Sequence, residues 1–266
     1  MQALGAFPQD AARALRFVLT DIDDTLTDHG RLPAAAYAAL ERLAGAGLAV
    51  IPVTGRPAGW CDLIARFWPV AAVVGENGAF WFAYDHQARR MDRGYALTEA
   101  ERAANRARLN ALASAILTAV PEARIAADQA YREADLAIDF AEDVGPLPDA
   151  AIDRIVALFT EAGATAKVSS IHVNGWFGSF DKRSTSLALL GARFGLAGGA
   201  PLAACAFVGD SPNDAPMFGH FPLSVGVANV RDQLDRIATP PAFVTASRGG
   251  AGFVEFADRL LALRAG

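Results

Sequence analysis

Two short apolar runs in the first sixty residues each end on a polar residue, and that repetition narrows the folds open to the chain. Arg16 to Thr20 (RFVLT) is β-rich and stops at Asp21; Leu48 to Val53 (LAVIPV) stops at Thr54. Unbroken apolar runs of this length belong to strands buried on both faces, as in parallel sheets. Between them, Pro33 to Ala46 places Tyr37, Leu40 and Leu43 at helical spacing and gives way to Gly47, a C-terminal glycine. Strand, helix and strand in that order make a β-α-β unit. A third run, Val70 to Gly75, leads into Asn77-Gly78 and Ala79 to Tyr84, which carries the signature of a two-residue hairpin.

The pattern returns near the C-terminus, where Ala204 to Val208 (ACAFV) ends at Gly209-Asp210 and is followed by the apolar runs Leu223 to Val227 and Ala242 to Thr245. These outer portions predict an α/β architecture: a Rossmann-like, doubly wound, mostly parallel sheet with helices on both faces. Its ligand site belongs at the carboxyl ends of the strands, where Asp21, Thr54 and Asp210 fall. The middle reads differently. Leu97 to Val120 and Leu147 to Ala162 are helical, Tyr131 to Phe140 alternates like an antiparallel strand, and Ala164 to Trp176 reads as two more strands. The expectation is a core of residues 1–84 and 179–266 with an inserted α+β domain over 85–178.

With 53% hydrophobic and 20% charged residues, the chain has ample material for a core, and its net charge of −5 offers no broad basic surface for nucleic acid. An anionic ligand has to be met locally. No run reaches the roughly 18 apolar residues of a spanning helix, and the first residues lack the pattern of an export signal. Cys61 and Cys205 have no second Cys or His at metal-ligand spacing, which favours a reducing, cytoplasmic setting.

The chemistry concentrates in three clusters at strand ends. Asp21-Ile22-Asp23-Asp24-Thr25 gathers carboxylates where a solvated, helix-capping turn is the plainer reading. The run resembles motif I (DxDxT) of the haloacid dehalogenase superfamily, with Asp21, Asp23 and Thr25 on the matching positions. Thr54-Gly55-Arg56 resembles motif II, Lys182 is placed for motif III with Arg183 as its competitor, and Gly209 to Asp214 (GDSPND) looks like motif IV. All occur in the order the superfamily uses.

The resemblance implies a Mg²⁺-dependent phosphatase. Asp21 would attack phosphorus and form an aspartyl-phosphate, which replaces one difficult displacement by two easier ones. Asp23 would protonate the leaving oxygen and then deprotonate water. Asp21, Asp210 and the backbone carbonyl of Asp23 would hold the metal, with Asp214 a ligand itself or an anchor for a metal-bound water. An N-cap role for Asp214 also stands. Thr54, Gly55, Arg56, Lys182 and Asn213 would meet the phosphate.

An insertion between motifs II and III resembles the C2-type cap of the IIB subgroup, which includes sucrose-phosphate, trehalose-phosphate and phosphoglycolate phosphatases. A small phosphorylated metabolite is the implied partner, a sugar phosphate first, with hinges near residues 84 and 178. His172, Asn174 and Trp176 share one strand face, as do Glu133, Asp135 and Asp139, and either set could overhang the pocket or be solvated. Glu76 and Asn77, just before the insertion, are further substrate-binding candidates, although the turn already accounts for Asn77. A phosphomutase and a non-catalytic sensor of a phosphorylated ligand are the alternatives. The sequence says nothing about oligomeric state.

Overall fold

The computed structural model describes residues 1–169 and 171–266. Its central sheet runs in the order Gln2–Ala3, Phe243–Val244, Ser224–Gly226, Cys205–Gly209, Phe17–Thr20, Ala49–Pro52. Every neighbouring pair is parallel. Phe17–Thr20 and Cys205–Gly209 are buried at every residue, as strands covered on both faces must be. Val18, Val50, Ala206 and Val208 pack with Leu40, Leu43, Phe253 and Phe256 on one side, while Phe17, Leu19, Ile51 and Phe207 pack with Leu189, Leu190, Met217 and Phe218 on the other. From Phe17–Thr20 the chain winds toward Ala49–Pro52; from Cys205–Gly209 it winds the opposite way. The winding therefore reverses between these two strands, and Asp21 and Asp210 follow directly from them, at the switch point where open α/β sheets bind ligands.

Beyond Ala49–Pro52 lies an antiparallel sheet of Val73–Gly75, Phe80–Asp85 and Arg90–Tyr95, joined to the main sheet by a bridge between Val53 and Val74. Two readings from the sequence change here. Gly75 pairs with Phe80, so the turn has the four residues 76–79 rather than two, and Glu76, Asn77 and Gly78 take φ of 44°, 55° and 108°. The boundary expected at 85 falls inside a hairpin whose second strand pairs Asp85 with Arg90 and Phe80 with Tyr95. Met91, Tyr95 and Leu97 pack on the core, and the following long helix is Glu99–Ala119.

The inserted segment forms a separate antiparallel sheet, Arg124–Ile125, Leu136–Asp139, His172–Trp176, Thr165–Val168. Helices Glu99–Ala119 and Asp149–Glu161 cover one face through Leu109, Ile116, Ile155 and Phe159, which meet Leu136, Ile138 and Val173. The strand expected from Tyr131 begins only at Leu136, because Ala127–Tyr131 is a 3-10 turn. Trp176 does not face a ligand: it is buried, stacked on Phe180 at 5.6 Å, and belongs to the core cluster. No described helix is long and apolar enough to cross a membrane.

Gly78 links this scaffold to the site. A Cβ built there collides with the backbone carbonyl of Asp181, immediately before Lys182, and its positive φ is costly for any other residue. Gly78→Ala is expected to destabilise the protein by about 1–3 kcal/mol, read as a lower urea midpoint at unchanged m-value.

Candidate active site

Asp21 continues the pairing of its strand, its N–H donating to the Val208 carbonyl at 2.8 Å. Asp24 then turns the chain with φ 55°, and its N–H is taken by Thr27 Oγ1 at 3.0 Å. This turn brings the Thr25 hydroxyl to Asp210 Oδ1 at 3.1 Å. Asn229 Nδ2 donates to the other Asp210 oxygen at 2.9 Å, so both oxygens are fixed. After the second strand, Asp214 Oδ2 accepts the N–H groups of Asp210 at 3.0 Å and Ser211 at 3.3 Å. Asp214 thus caps its turn and still presents Oδ1 to the site. Oxygens of Asp21, Asp210 and Asp214 lie within 4.8 Å of one another, and all three residues are buried.

Lys182 opens the helix Lys182–Phe194, with Asp181 as its N-cap through Ser184 N–H at 2.6 Å. An ammonium at that end opposes the helix dipole, and its partners explain it. Lys182 Nζ donates to Asp21 Oδ1 at 2.8 Å and Asp214 Oδ1 at 2.7 Å, with Asn213 Oδ1 at 3.4 Å. Arg183 stays on the surface, 4.0 Å from Asp181.

One ammonium does not balance three buried carboxylates. Burial, with Asp214 and Asp23 adding to it against Lys182, pushes Asp21 up to about 8. Burial, then Asp21, Asp214 and Asp24, hold Asp210 well above the usual carboxylate range. Burial alone would pull Lys182 down, but the Asp21 and Asp214 charges outweigh it and hold the ammonium above the usual lysine range. Closely spaced carboxylate oxygens with surplus negative charge are the donor set of a hard divalent cation such as Mg²⁺. Asp21, Asp210 and Asp214 are the residues that would hold it.

Asp23, two residues after Asp21, is gripped by Arg56. Nε donates to both carboxylate oxygens at 3.0 and 3.1 Å, and Nη2 to Oδ1 at 2.8 Å. Arg56 Nη1 goes to Glu142 Oε1 at 2.9 Å, and the guanidinium lies 4.4 Å from the Trp60 ring centroid. Asp21, Asp23, Gly55, Arg56, Asp210, Ser211 and Asn213 line a cleft together with Arg132, Ser169, Ile171, His172 and Asn174.

Several residues singled out in the sequence stand elsewhere. Thr54 is buried behind the cleft, its hydroxyl accepting the Arg56 N–H at 3.0 Å. Glu76 does not reach the cleft: its carboxylate accepts N–H groups from Ala58 at 3.0 Å, Glu133 at 2.8 Å, Ala134 at 2.6 Å and Asp135 at 3.0 Å, clasping the insert to the core. Asn77 packs against Gly55 and lies 3.5 Å from Asn213 Nδ2, and it does not line the cleft either. Asp135 bonds Arg132 and Asn174, and Asp139 caps its own loop.

Sequence reasoning missed Arg132, Glu142 and Asn229. Arg132 donates to Asp128, Asp135 and the Gly55 carbonyl. Glu142 Oε2 lies 2.9 Å from His172 Nε2, off the hydrogen-bonding line. His172, opposed by burial and joined by Arg56, draws Glu142 down to about 2. Arg132 pairs locally with Asp128 and Asp135, but its reach to Gly55, like that of Glu142 to Arg56 and of Asn229 to Asp24, crosses a long separation that no local pattern marks.

No protein-family model matches the chain, and no curated protein does. Solved structures do. A Thermoplasma acidophilum protein superposes with TM-score 0.70 at 19% identity, over 93% of this chain and 98% of that one. The sucrose-phosphatase from Synechocystis, in complex with sucrose and phosphate, has TM-score 0.60 at 16% identity over 93% and 98% of the two chains. A subclass IIB sugar phosphatase of the haloacid dehalogenase superfamily has TM-score 0.61 at 13% identity over 93% and 99%. The chain has the fold of the haloacid dehalogenase-like hydrolases.

The charge surplus makes stability depend on metal and pH. In the folded state Asp21 keeps its proton up to about 8 instead of 3.8, and Glu76, raised chiefly by burial, up to about 7 instead of 4.5. The folded state therefore binds more protons than the unfolded one across that window, and stability falls as pH rises through it. In chelator, thermal unfolding is expected at lower temperature at pH 8 than at pH 5. Mg²⁺ is expected to raise it most at pH 8, where it replaces the lost protons.

Proposed function

We propose that the chain is a Mg²⁺-dependent phosphatase that hydrolyses a small phosphorylated metabolite, a sugar phosphate above others, through an aspartyl-phosphate on Asp21. The observation that carries this reading is the buried convergence of Asp21, Asp210, Asp214 and Lys182 at the switch point, with Asp23 beside them. A bound Mg²⁺ supplies positive charge that offsets the repulsion between a phosphate dianion and a carboxylate.

Asp21 attacks phosphorus, the bond to the leaving oxygen breaks, and Asp23, once it has taken a proton from solvent and loosened its pair with Arg56, delivers that proton to the oxygen. Asp23 then takes a proton from the water that attacks the aspartyl-phosphate, and inorganic phosphate leaves. Lys182 holds Asp21 in place and offsets part of the cost of ionising it, and a bound cation would supply the remaining charge. Thr25 and Asn229 orient Asp210. Gly55, Arg56 and Asn213 lie where the phosphate would enter.

The far wall of the cleft supports an uncharged leaving group. Both cations that line it are already neutralised, Arg56 by Asp23 and Glu142, Arg132 by Asp128 and Asp135. His172 is beside Glu142, and Asn174 and Ser169 offer neutral polar groups. An anionic leaving group would find no cation there that is not already paired, whereas hydroxyls find donors and acceptors. The sucrose-phosphatase of the same fold accords with this choice. A reducing, cytoplasmic setting suits Cys61 and Cys205, both buried and unpaired.

Phosphate release measured on a panel of sugar phosphates, phosphoglycolate and p-nitrophenyl phosphate tests the reading. Release is expected with Mg²⁺ and not in chelator, and Asp21→Asn is expected to lower it roughly a thousandfold or more. Neutral sugar phosphates are expected to exceed phosphoglycolate by about tenfold or more in kcat/KM. Absence of Mg²⁺-dependent release from folded protein would overturn the proposal, and isomerised sugar phosphate without release would replace it by a mutase.

A further inference from the structure

Glu142 does not line the cleft, yet both of its oxygens engage residues that do. Oε1 accepts Arg56 Nη1 at 2.9 Å, and Oε2 lies 2.9 Å from His172 Nε2. The remaining edge of the same guanidinium grips Asp23. One cation is thus shared between a carboxylate of the core and a carboxylate of the insert.

The placement of Glu142 is built into the loop that carries it. The buried Asp139 accepts the N–H groups of Ala141 at 2.9 Å, Glu142 at 2.8 Å and Asp143 at 2.8 Å, which fixes a backbone that would otherwise be a free surface loop. Trp60 closes one face of the guanidinium. A competitor stands close by: Asp128 Oδ2 is 3.8 Å from the same Nη1 that Glu142 holds. Asp128 Oδ2 is itself held by Arg132 Nη2 at 3.0 Å, which leaves Glu142 as the closer acceptor for that edge of Arg56.

We propose that Glu142 is a positioning residue that, when the insert is seated, holds Arg56 between itself and Asp23 and so sets the Asp23 carboxylate toward the leaving oxygen. The inference rests on the phosphatase reading above. It ties the position of the insert to the proton-transferring group of the core through three side chains, with no contact between Glu142 and substrate.

Leaving-group chemistry separates this role from a general structural one. A nitrophenolate leaves without a proton, whereas a sugar alkoxide needs one, and both reactions need Asp23 again when water attacks the aspartyl-phosphate. Glu142→Gln is the variant, compared with wild type on p-nitrophenyl phosphate and on the sugar phosphate that wild type turns over fastest. The expected result is a kcat about 10- to 100-fold lower on the sugar phosphate with KM within about twofold. On p-nitrophenyl phosphate a burst of nitrophenol should precede a slowed steady state. In an Asp23→Asn background, Glu142→Gln is expected to add less than about twofold, because the two act as a unit. Equal losses on both substrates without a burst, a change in KM alone, or additivity with Asp23→Asn would each overturn the role. A wild type active on the panel with an unaffected Glu142→Gln removes this inference and leaves the phosphatase reading standing. A wild type without Mg²⁺-dependent release removes both.

Discussion

Three buried carboxylates around one buried ammonium set the terms for the rest of the molecule. Like charges this close in a poorly screened interior cannot all stay ionised without a cation, so each must be held against its own tendency to move apart or take up a proton. The scaffold does this group by group. Asp210 is pinned by Thr25 and Asn229, Asp214 by two backbone N–H groups, and Lys182 by a capped helix start. That helix start is itself pressed against Gly78, whose carbonyl accepts the Thr185 hydroxyl. Packing far from the cluster therefore serves its electrostatics, and a residue as plain as Gly78 becomes part of the site.

The elements that frame the site were legible because their signals are local. A strand buried on both faces has to be an unbroken apolar run, so Phe17–Thr20 and Cys205–Gly209 announced themselves, and the acids directly after them came with the run. Lys182 was legible through its resemblance to motif III, and the charge at the wrong end of its helix is explained by Asp21 and Asp214. Arg90–Tyr95 (RMDRGY) was lost because a partly exposed edge strand carries charges at several positions and shows little apolar alternation. Asn77-Gly78 suggested a two-residue turn, but Glu76 also takes a positive φ, and the turn is longer.

Side-chain partnerships were the least legible. Glu76, read as a substrate candidate, spends its carboxylate on four backbone N–H groups, three of them more than fifty positions away. Arg56, read as a phosphate contact, divides its donors between Asp23 and Glu142, the latter 86 positions on. Trp176 shares a strand face with two cleft residues, yet at the strand's end that face meets Phe180 instead of the cleft. Periodicity gives the face on which a side chain stands; only tertiary placement gives what stands opposite.

The chain leaves the core after Leu97 and comes back at Gly178, where an added Cβ would sit 3.2 Å from Leu97 Cδ1. Everything between is a loop whose ends already touch. Closing such a loop depends only weakly, as a logarithm, on the number of residues in it, and this one brings a hydrophobic cluster of its own. Residues can be gained or lost in it at little expense to the sheet beneath, so this segment is free to diverge faster than the sheet that carries the acidic cluster. Glu76 with its partners in 133–135, and Arg56 with Glu142, mark where that independence stops and a change on one side calls for a matching change on the other.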